Sequence, residues 1–250
     1  MKSYLIVGGS SDIAKITAQK LLESQAAVTC LVRDKSRVED LEALGATIVQ
    51  GDALDQESIS EAITKASEKG DGQISGVAHL VGSIAIRPPH ALSLDAFNEV
   101  ITTNLSSAFL TLSLCGKAML KMGRGRMVFT SSVAGSLGLV NHEAIAAAKG
   151  GVESMVRSAA ATYAKRGIRV NAICPVLIST EGLLKALDSE YAPGKSNPEK
   201  FIHDFTQTNS ALNRMPTAKE VGDFCVFLAS DMASAITGQC INVDCGVLPQ

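Results

Sequence analysis

The chain has 250 residues, a length that one large α/β domain can fill while burying a sizeable core. Hydrophobic residues make up 46% and charged residues 19%, a composition that excludes an intrinsically disordered chain. Lys and Arg total 23 against 25 Asp and Glu, and the net charge of −2 argues against a nucleic-acid-binding protein or a polybasic membrane-surface protein.

Short β-branched runs alternate with longer amphipathic ones from end to end. The pattern predicts a strand over 4–7, a helix over 12–24, a strand over 28–32 and a helix over 38–44. Strands follow over 47–50 and 74–81, with a helix over 56–68 between them. A long helix is predicted over 94–120, then a strand over 127–130, a helix over 141–165, and strands over 169–174 and 241–243. Strands alternating with helices imply right-handed βαβ units and a parallel sheet. The strands are apolar without alternation, as expected when both sheet faces are covered. The expected architecture is a doubly wound α/β parallel sheet forming one domain over 1–250. The segment 179–217 breaks the rhythm with Pro193, Gly194, Asn197 and Pro198, and is expected to be an inserted lid or substrate loop.

No stretch reaches about 18 apolar residues, so no transmembrane helix is expected. The apolar run before Gly8 is too short for a signal-peptide core. The six cysteines (30, 115, 174, 225, 240, 245) form no C-x-x-C, and the four histidines (79, 90, 142, 203) show no metal-ligand spacing. Reduced thiols, a cytoplasmic location and no metal site are therefore expected.

The first strand runs into Gly8-Gly9-Ser10-Ser11-Asp12-Ile13-Ala14 and then a helix. Glycine allows a sharp turn and close approach to a phosphate, and the helix start offers free N–H groups and a positive dipole end. A plain tight strand-to-helix turn would use the same residues. Further along stand Gly51-Asp52-Ala53, His79-Leu80-Val81-Gly82, Thr103-Asn104-Leu105-Ser106 and Thr130-Ser131-Ser132-Val133-Ala134-Gly135. They are followed by Ala146-Ala147-Ala148-Lys149-Gly150-Gly151, Arg169-Val170-Asn171-Ala172-Ile173-Cys174-Pro175-Val176 and Ile236-Thr237-Gly238-Gln239.

In this order the stretches resemble the short-chain dehydrogenase/reductase family, in the single-domain form that includes the 3-oxoacyl carrier-protein reductases. The resemblance covers residues 3–247 and implies a Rossmann fold. It implies a nicotinamide dinucleotide as cofactor and a small-molecule carbonyl or alcohol as substrate. The family's loop reads T-G-x-x-x-G-x-G; here the first glycine is Gly8, while Asp12 and Ala14 stand at the other two. Cofactor contacts carried over are Gly8, Ser10, Ser11, Asp12, Ile13, Asp52, Ala53, Gly82, Lys149, Pro175, Ile178 and Thr180. Asp52 has an alternative reading as a turn or cap residue. The family's N-N-A-G is His79-Leu80-Val81-Gly82 here; only the glycine matches, and His79 reads as a hydrogen-bonded core histidine before it reads as a cofactor contact. NAD-preferring members carry an acid where this chain has Val32, and Arg33 follows. That pattern implies NADP(H), with Arg33 on the 2′-phosphate; a solvated Arg33 is the alternative.

Catalytic positions carried over are Ser132, which hydrogen-bonds the substrate oxygen, Lys149, which holds the nicotinamide ribose, and Asn104, which holds a relay water. The family's Y-x-x-x-K has become I-x-x-x-K, with Ile145 in place of the tyrosine. Isoleucine has no ionisable proton. His142 is a candidate substitute, lying about 20° in azimuth from Lys149 on an ideal helix. A plain first-turn polar residue is the other reading of His142. Two functions follow: a variant NADP(H)-dependent oxidoreductase, or a catalytically silent NADP(H)-binding regulatory or structural subunit. The resemblance also implies a homotetramer or homodimer, packed through 108–122 and 236–248.

Overall fold

The computed structural model describes residues 1–248. Among them seven strands form one sheet: β1 (Ser3–Val7), β2 (Ala27–Val32), β3 (Thr47–Gln50), β4 (Gly76–His79), β5 (Gly125–Thr130), β6 (Ile168–Pro175) and β7 (Cys240–Val243). Their order is β3-β2-β1-β4-β5-β6-β7, and every neighbouring pair is parallel. The chain winds outward from β1 to β3, then returns to the other side of β1 at β4. The winding direction reverses there, and the loops beyond the carboxyl ends of β1 and β4 part to leave a crevice.

Helices cover both faces, which is why all five residues of β1 are buried without alternation. On one face Leu5, Val7, Phe129 and Val170 pack with Ile59 of α3 (Gln56–Lys69), Met119 of α5 (Ser107–Met122) and Val152 and Val156 of α6 (Glu143–Tyr163). On the other, Ile6, Cys30, Val128 and Ile173 pack with Ala14 and Leu21 of α1 (Asp12–Glu23) and Leu41 of α2 (Glu39–Ala43). Val221, Cys225 and Leu228 of α9 (Ala218–Ala229) complete that layer.

The doubly wound parallel sheet matches the alternation of the sequence, with instructive departures. The helix expected over 94–120 is α4 (Leu94–Ile101) and α5 joined by a π-turn, Thr102–Ser106. The strand expected over 74–81 is paired only over Gly76–His79. The helix expected from 141 starts at Glu143, with His142 outside it as the N-cap. Helix α9 had no counterpart among the expected elements, although its start is a capping box. Thr217 Oγ1 accepts from Glu220 N at 3.1 Å, and Glu220 Oε2 accepts from Thr217 N at 2.9 Å.

Within 179–217 the chain forms α7 (Glu181–Leu187) and α8 (Pro198–Asn209). Leu183, Leu187 and Ala192 make a separate apolar cluster with Ile86 from the loop after β4, and Phe201 and Ile202 pack against it. Asn141 Nδ2 donates to Tyr191 O at 2.8 Å, and the Arg87 guanidinium lies 5.4 Å from the Tyr191 ring centre. Ser210 Oγ donates to Cys245 O at 3.2 Å.

Part of the stretch that resembles the family is structural here. Arg169 donates to the carbonyls of Ile236, Leu228 and Ser230 at 2.7–3.0 Å. Asn171 accepts from Gln239 N at 3.1 Å and donates to Ile236 O at 2.9 Å. Together they pin the turn that feeds β7. Arg169→Met removes a charged donor from three carbonyls, and urea unfolding should show a loss of about 2–4 kcal/mol.

Candidate active site

A cleft of about 660 Å³ opens at the carboxyl ends of the central strands. At one end is the β1–α1 turn. Gly8 has φ +85°, and a Cβ there would lie 2.7 Å from Val81 Cγ2 and 2.9 Å from Val81 N, so no side chain fits. Ser11 caps α1 by accepting from Ala14 N at 3.2 Å. The first N–H groups of α1, on Asp12 and Ile13, have no helical acceptor and point out of the helix start. A phosphate suits them. Asp12 is exposed, and Ala14 is wholly buried under the turn.

Beyond the turn, Val32, Arg33 and Arg37 line the cleft with Asp52, Ala53 and Leu54. Asp52 Oδ1 accepts from Leu54 N at 2.8 Å, which sets the turn after β3 and leaves its second oxygen without a protein donor among the described residues. Asp34 bonds the N–H and hydroxyl of Ser36, which hold its carboxyl below its usual range. This cap starts the 3₁₀ turn Lys35–Val38, which carries Arg37. Arg37 was not among the expected site residues; the Asp34-x-Ser36 spacing is the signal that could have found it.

At the other end Ser132, Ile145, Lys149, Pro175, Ile178 and Thr180 line the same cleft, with Gly82 and His142. Ser132 Oγ accepts from Ala134 N at 3.2 Å and donates to Pro175 O at 3.3 Å. That second bond is long, so the proton can turn to another acceptor at little cost. Lys149 is 5% exposed, and its Nζ donates to Thr130 O at 2.9 Å. Burial brings the lysine down to about 8, opposed by the Cys174 thiol nearby. Ile145, one helical turn before it, is buried between α4 and α6 with Val100 and Ala148.

Of the expected site residues, Asn104 alone is not on the cleft wall. It lies in the π-turn, with Nδ2 donating to Val100 O and Ser83 Oγ, and Oδ1 accepting from Ser83 N at 3.1 Å. Its side chain fastens the loop after β4. Such π-turns recur at functional sites, and this one brings Asn104 Oδ1 and Lys149 Nζ within 3.5 Å of the space beside Gly82.

His79 is a core histidine. Thr111 Oγ1 donates to Nδ1 at 3.0 Å, Nε2–H donates to Ser107 Oγ at 3.2 Å, and Ser107 passes its own proton to Thr103 O. Burial first, and Lys149 second, bring His79 down to about 3, so it is neutral. Glu153 was also missed. Its buried carboxylate accepts from Ser131 Oγ at 3.1 Å and Ser136 Oγ at 2.9 Å, clamping both ends of the turn that carries Ser132. The spacing Lys149-x-x-x-Glu153 put it on the same helix face.

Four thiols, Cys30, Cys115, Cys174 and Cys225, are buried, and burial raises all of them. They are unreactive packing groups. No cluster of three metal-ligating side chains occurs among the described residues, and none of their helices is long and apolar enough to cross a membrane. Gly8→Ala should lower thermal stability and weaken dinucleotide binding by at least tenfold in calorimetry, because the turn must open to admit a methyl group.

The family described as Enoyl-(Acyl carrier protein) reductase matches residues 8–248. The chain is 33% identical to levodione reductase of Leifsonia aquatica, over 97% of this chain and 92% of that one. A crystal structure of levodione reductase superposes with a TM-score of 0.89 at 29% identity, covering 98% and 96% of the two chains. A short-chain type dehydrogenase/reductase from Mycobacterium ulcerans gives 0.87 at 28% identity, covering 98% and 89%. The chain is also 28% identical to "Inactive 2-(S)-hydroxypropyl-CoM dehydrogenase 2" of Xanthobacter autotrophicus, over 92% of this chain and 98% of that one. Sheet order, phosphate turn, serine turn and buried lysine agree with these matches: the chain belongs to the short-chain dehydrogenase/reductase family of oxidoreductases.

Proposed function

We propose that the chain interconverts a carbonyl and an alcohol on a small-molecule substrate with NADP(H), using an active site that lacks the family tyrosine. The observation that carries this reading is the convergence of Ser132 and Lys149 on the same cleft as the β1–α1 turn, with Ile145 in the intervening wall. The bound dinucleotide supplies hydride to the carbonyl carbon, or receives it from the alcohol.

The chain's own groups do the rest. The N–H groups at the start of α1, with Ser10 and Ser11, hold the pyrophosphate. Asp52 and Ala53 meet the adenine, and Arg33 with Arg37 meets the 2′-phosphate. Pro175, Ile178 and Thr180 orient the nicotinamide, and Lys149 holds its ribose. Ser132 turns its proton from Pro175 O to the substrate oxygen and polarises the carbonyl. The apolar wall made by Ile84, Leu139, Ile145 and Leu183 fits an apolar body around the reacting carbon. The α7–α8 segment covers that end as a lid.

The same reading makes the protein a cytoplasmic homotetramer or homodimer. Phe109 is 60% exposed on α5, and β7 is a half-exposed edge strand. Light scattering at micromolar concentration should give the dimer or tetramer mass; a monomer overturns this part.

Arg33→Ala should weaken NADPH about 10- to 150-fold in calorimetry, the range of one charge-assisted hydrogen bond, and leave NADH unchanged. Equal affinity for the two cofactors, with no loss in the variant, overturns the NADP(H) assignment.

Ile145→Tyr places a phenol one turn before Lys149. Reduction of simple ketones with NADPH should then rise by up to ~10²-fold. With a named inactive relative in view, the wild-type rate is the decisive number. Intact NADPH binding with no turnover in wild type or in Ile145→Tyr would make the protein a silent cofactor-binding subunit.

A further inference from the structure

Hydride transfer to a carbonyl leaves an alkoxide that must be protonated, and Ile145 removes the family's proton donor. The groups around that point are few. On α6, Ile145 is apolar. His142 stands before the helix as its N-cap and donates its Nδ1–H to Val140 O at 2.7 Å. Asn104 is engaged with Ser83 and Val100. Among the described residues that line this end of the cleft, Lys149 is the one buried ionisable group.

Its surroundings suit a proton donor. Nζ has a single acceptor among the described residues, the neutral carbonyl of Thr130. The titratable groups that face it are His79 from β4, Cys174 from β6, and Glu153 and His142 on either side along α6. His79 is neutral and bonded at both nitrogens. Burial, with Glu153 next, raises Cys174, so its thiol keeps its proton. Glu153 is turned toward Ser131 and Ser136 and has Arg157 at 3.8 Å. No carboxylate among the described residues bonds the ammonium, and Ile145 withholds the hydroxyl that would. Burial brings the group down to about 8, the range in which an ammonium gives up its proton near neutral pH.

Resting on the oxidoreductase reading above, we propose that Lys149 is itself the general acid and base of this active site. In reduction, hydride forms a C–H bond at the carbonyl carbon and the C=O π pair moves to oxygen. That oxygen takes a proton from the Lys149 ammonium. The dinucleotide leaves oxidised, and the neutral amine regains a proton from solvent. In oxidation the amine takes the hydroxyl proton as hydride leaves.

Three measurements test this. In the cofactor-free chain labelled with ¹³C at lysine Cε, the resonance missing from Lys149→Arg should titrate near pH 8; a lysine that stays charged above pH 10 overturns the proposal. Lys149→Arg keeps a positive charge that cannot be given up. At saturating NADPH, kcat for ketone reduction by this variant should fall about 10²- to 10⁴-fold, and methylamine should restore part of the rate to Lys149→Ala. The wild-type reduction rate should fall as pH rises through about 8, and alcohol oxidation should rise over the same window. Turnover that survives Lys149→Arg, or a pH limb that vanishes in His142→Ala, overturns the Lys149 assignment alone. No turnover in wild type with NADPH bound overturns the oxidoreductase reading and this proposal together.

Discussion

An ammonium group taken out of water needs either an opposite charge or a site willing to see it neutral. Among the described residues the Lys149 ammonium donates to a single acceptor, the backbone carbonyl of Thr130 at the end of β5, and much of the surrounding chemistry follows from that. His79, immediately beneath, must be neutral, and the Thr111–His79–Ser107 chain supplies both of its bonds so that it can be. The Asn104 amide, which could have bonded the ammonium, is turned to the Ser83 loop. The buried carboxylate of Glu153, one turn along α6 from Lys149, accepts from two serine hydroxyls. The lysine is isolated by design of its neighbours, each of which has its hydrogen bonds met elsewhere.

The polar residues that follow the family pattern therefore divide into two kinds. Ser132, Lys149 and the α1 start present unspent or exchangeable donors to an open cleft. Arg169, Asn171 and Asn104 are fully committed inside the protein, tying β6 to the turn before β7 and the π-turn to the loop after β4. A motif read from sequence does not distinguish these, because the same spacing serves a ligand and a loop. Only the partner atoms tell them apart.

Most of the sheet was legible because β1, β2, β5 and β6 are buried on both faces and spell continuous apolar runs. The β1–α1 turn was legible because a left-handed backbone at Gly8 demands glycine. The π-turn was not: one extra residue in a helix leaves the 3.6 periodicity nearly intact, so 94–120 read as a single rod. Helix α9 is signalled only by the capping pair Thr217-x-x-Glu220, next to an irregular insertion whose Pro and Gly residues interrupt the helical periodicity. The clamp by Glu153 was invisible for another reason. A charged residue in mid-helix reads as solvent-facing until tertiary contacts bury it. The azimuth that brings His142 to the Lys149 side holds only on a continuous helix, whereas the left-handed Asn141 ends the preceding turn and leaves His142 as the cap.

The separate apolar cluster in the α7–α8 segment has a kinetic consequence. Ile86, Leu183, Leu187 and Ala192 are buried against one another and not in the two main layers. The segment is tied to the body by few polar links, among them Asn141 to Tyr191 and Ser210 to Cys245. Ile86 comes from the loop after β4, so opening the segment would uncover this small cluster while the two main layers stay packed, a local event with a free energy below that of global unfolding. Amide protons in α7 and α8 exchange on that faster clock, while those of β1 and β5 wait for the whole sheet to come apart.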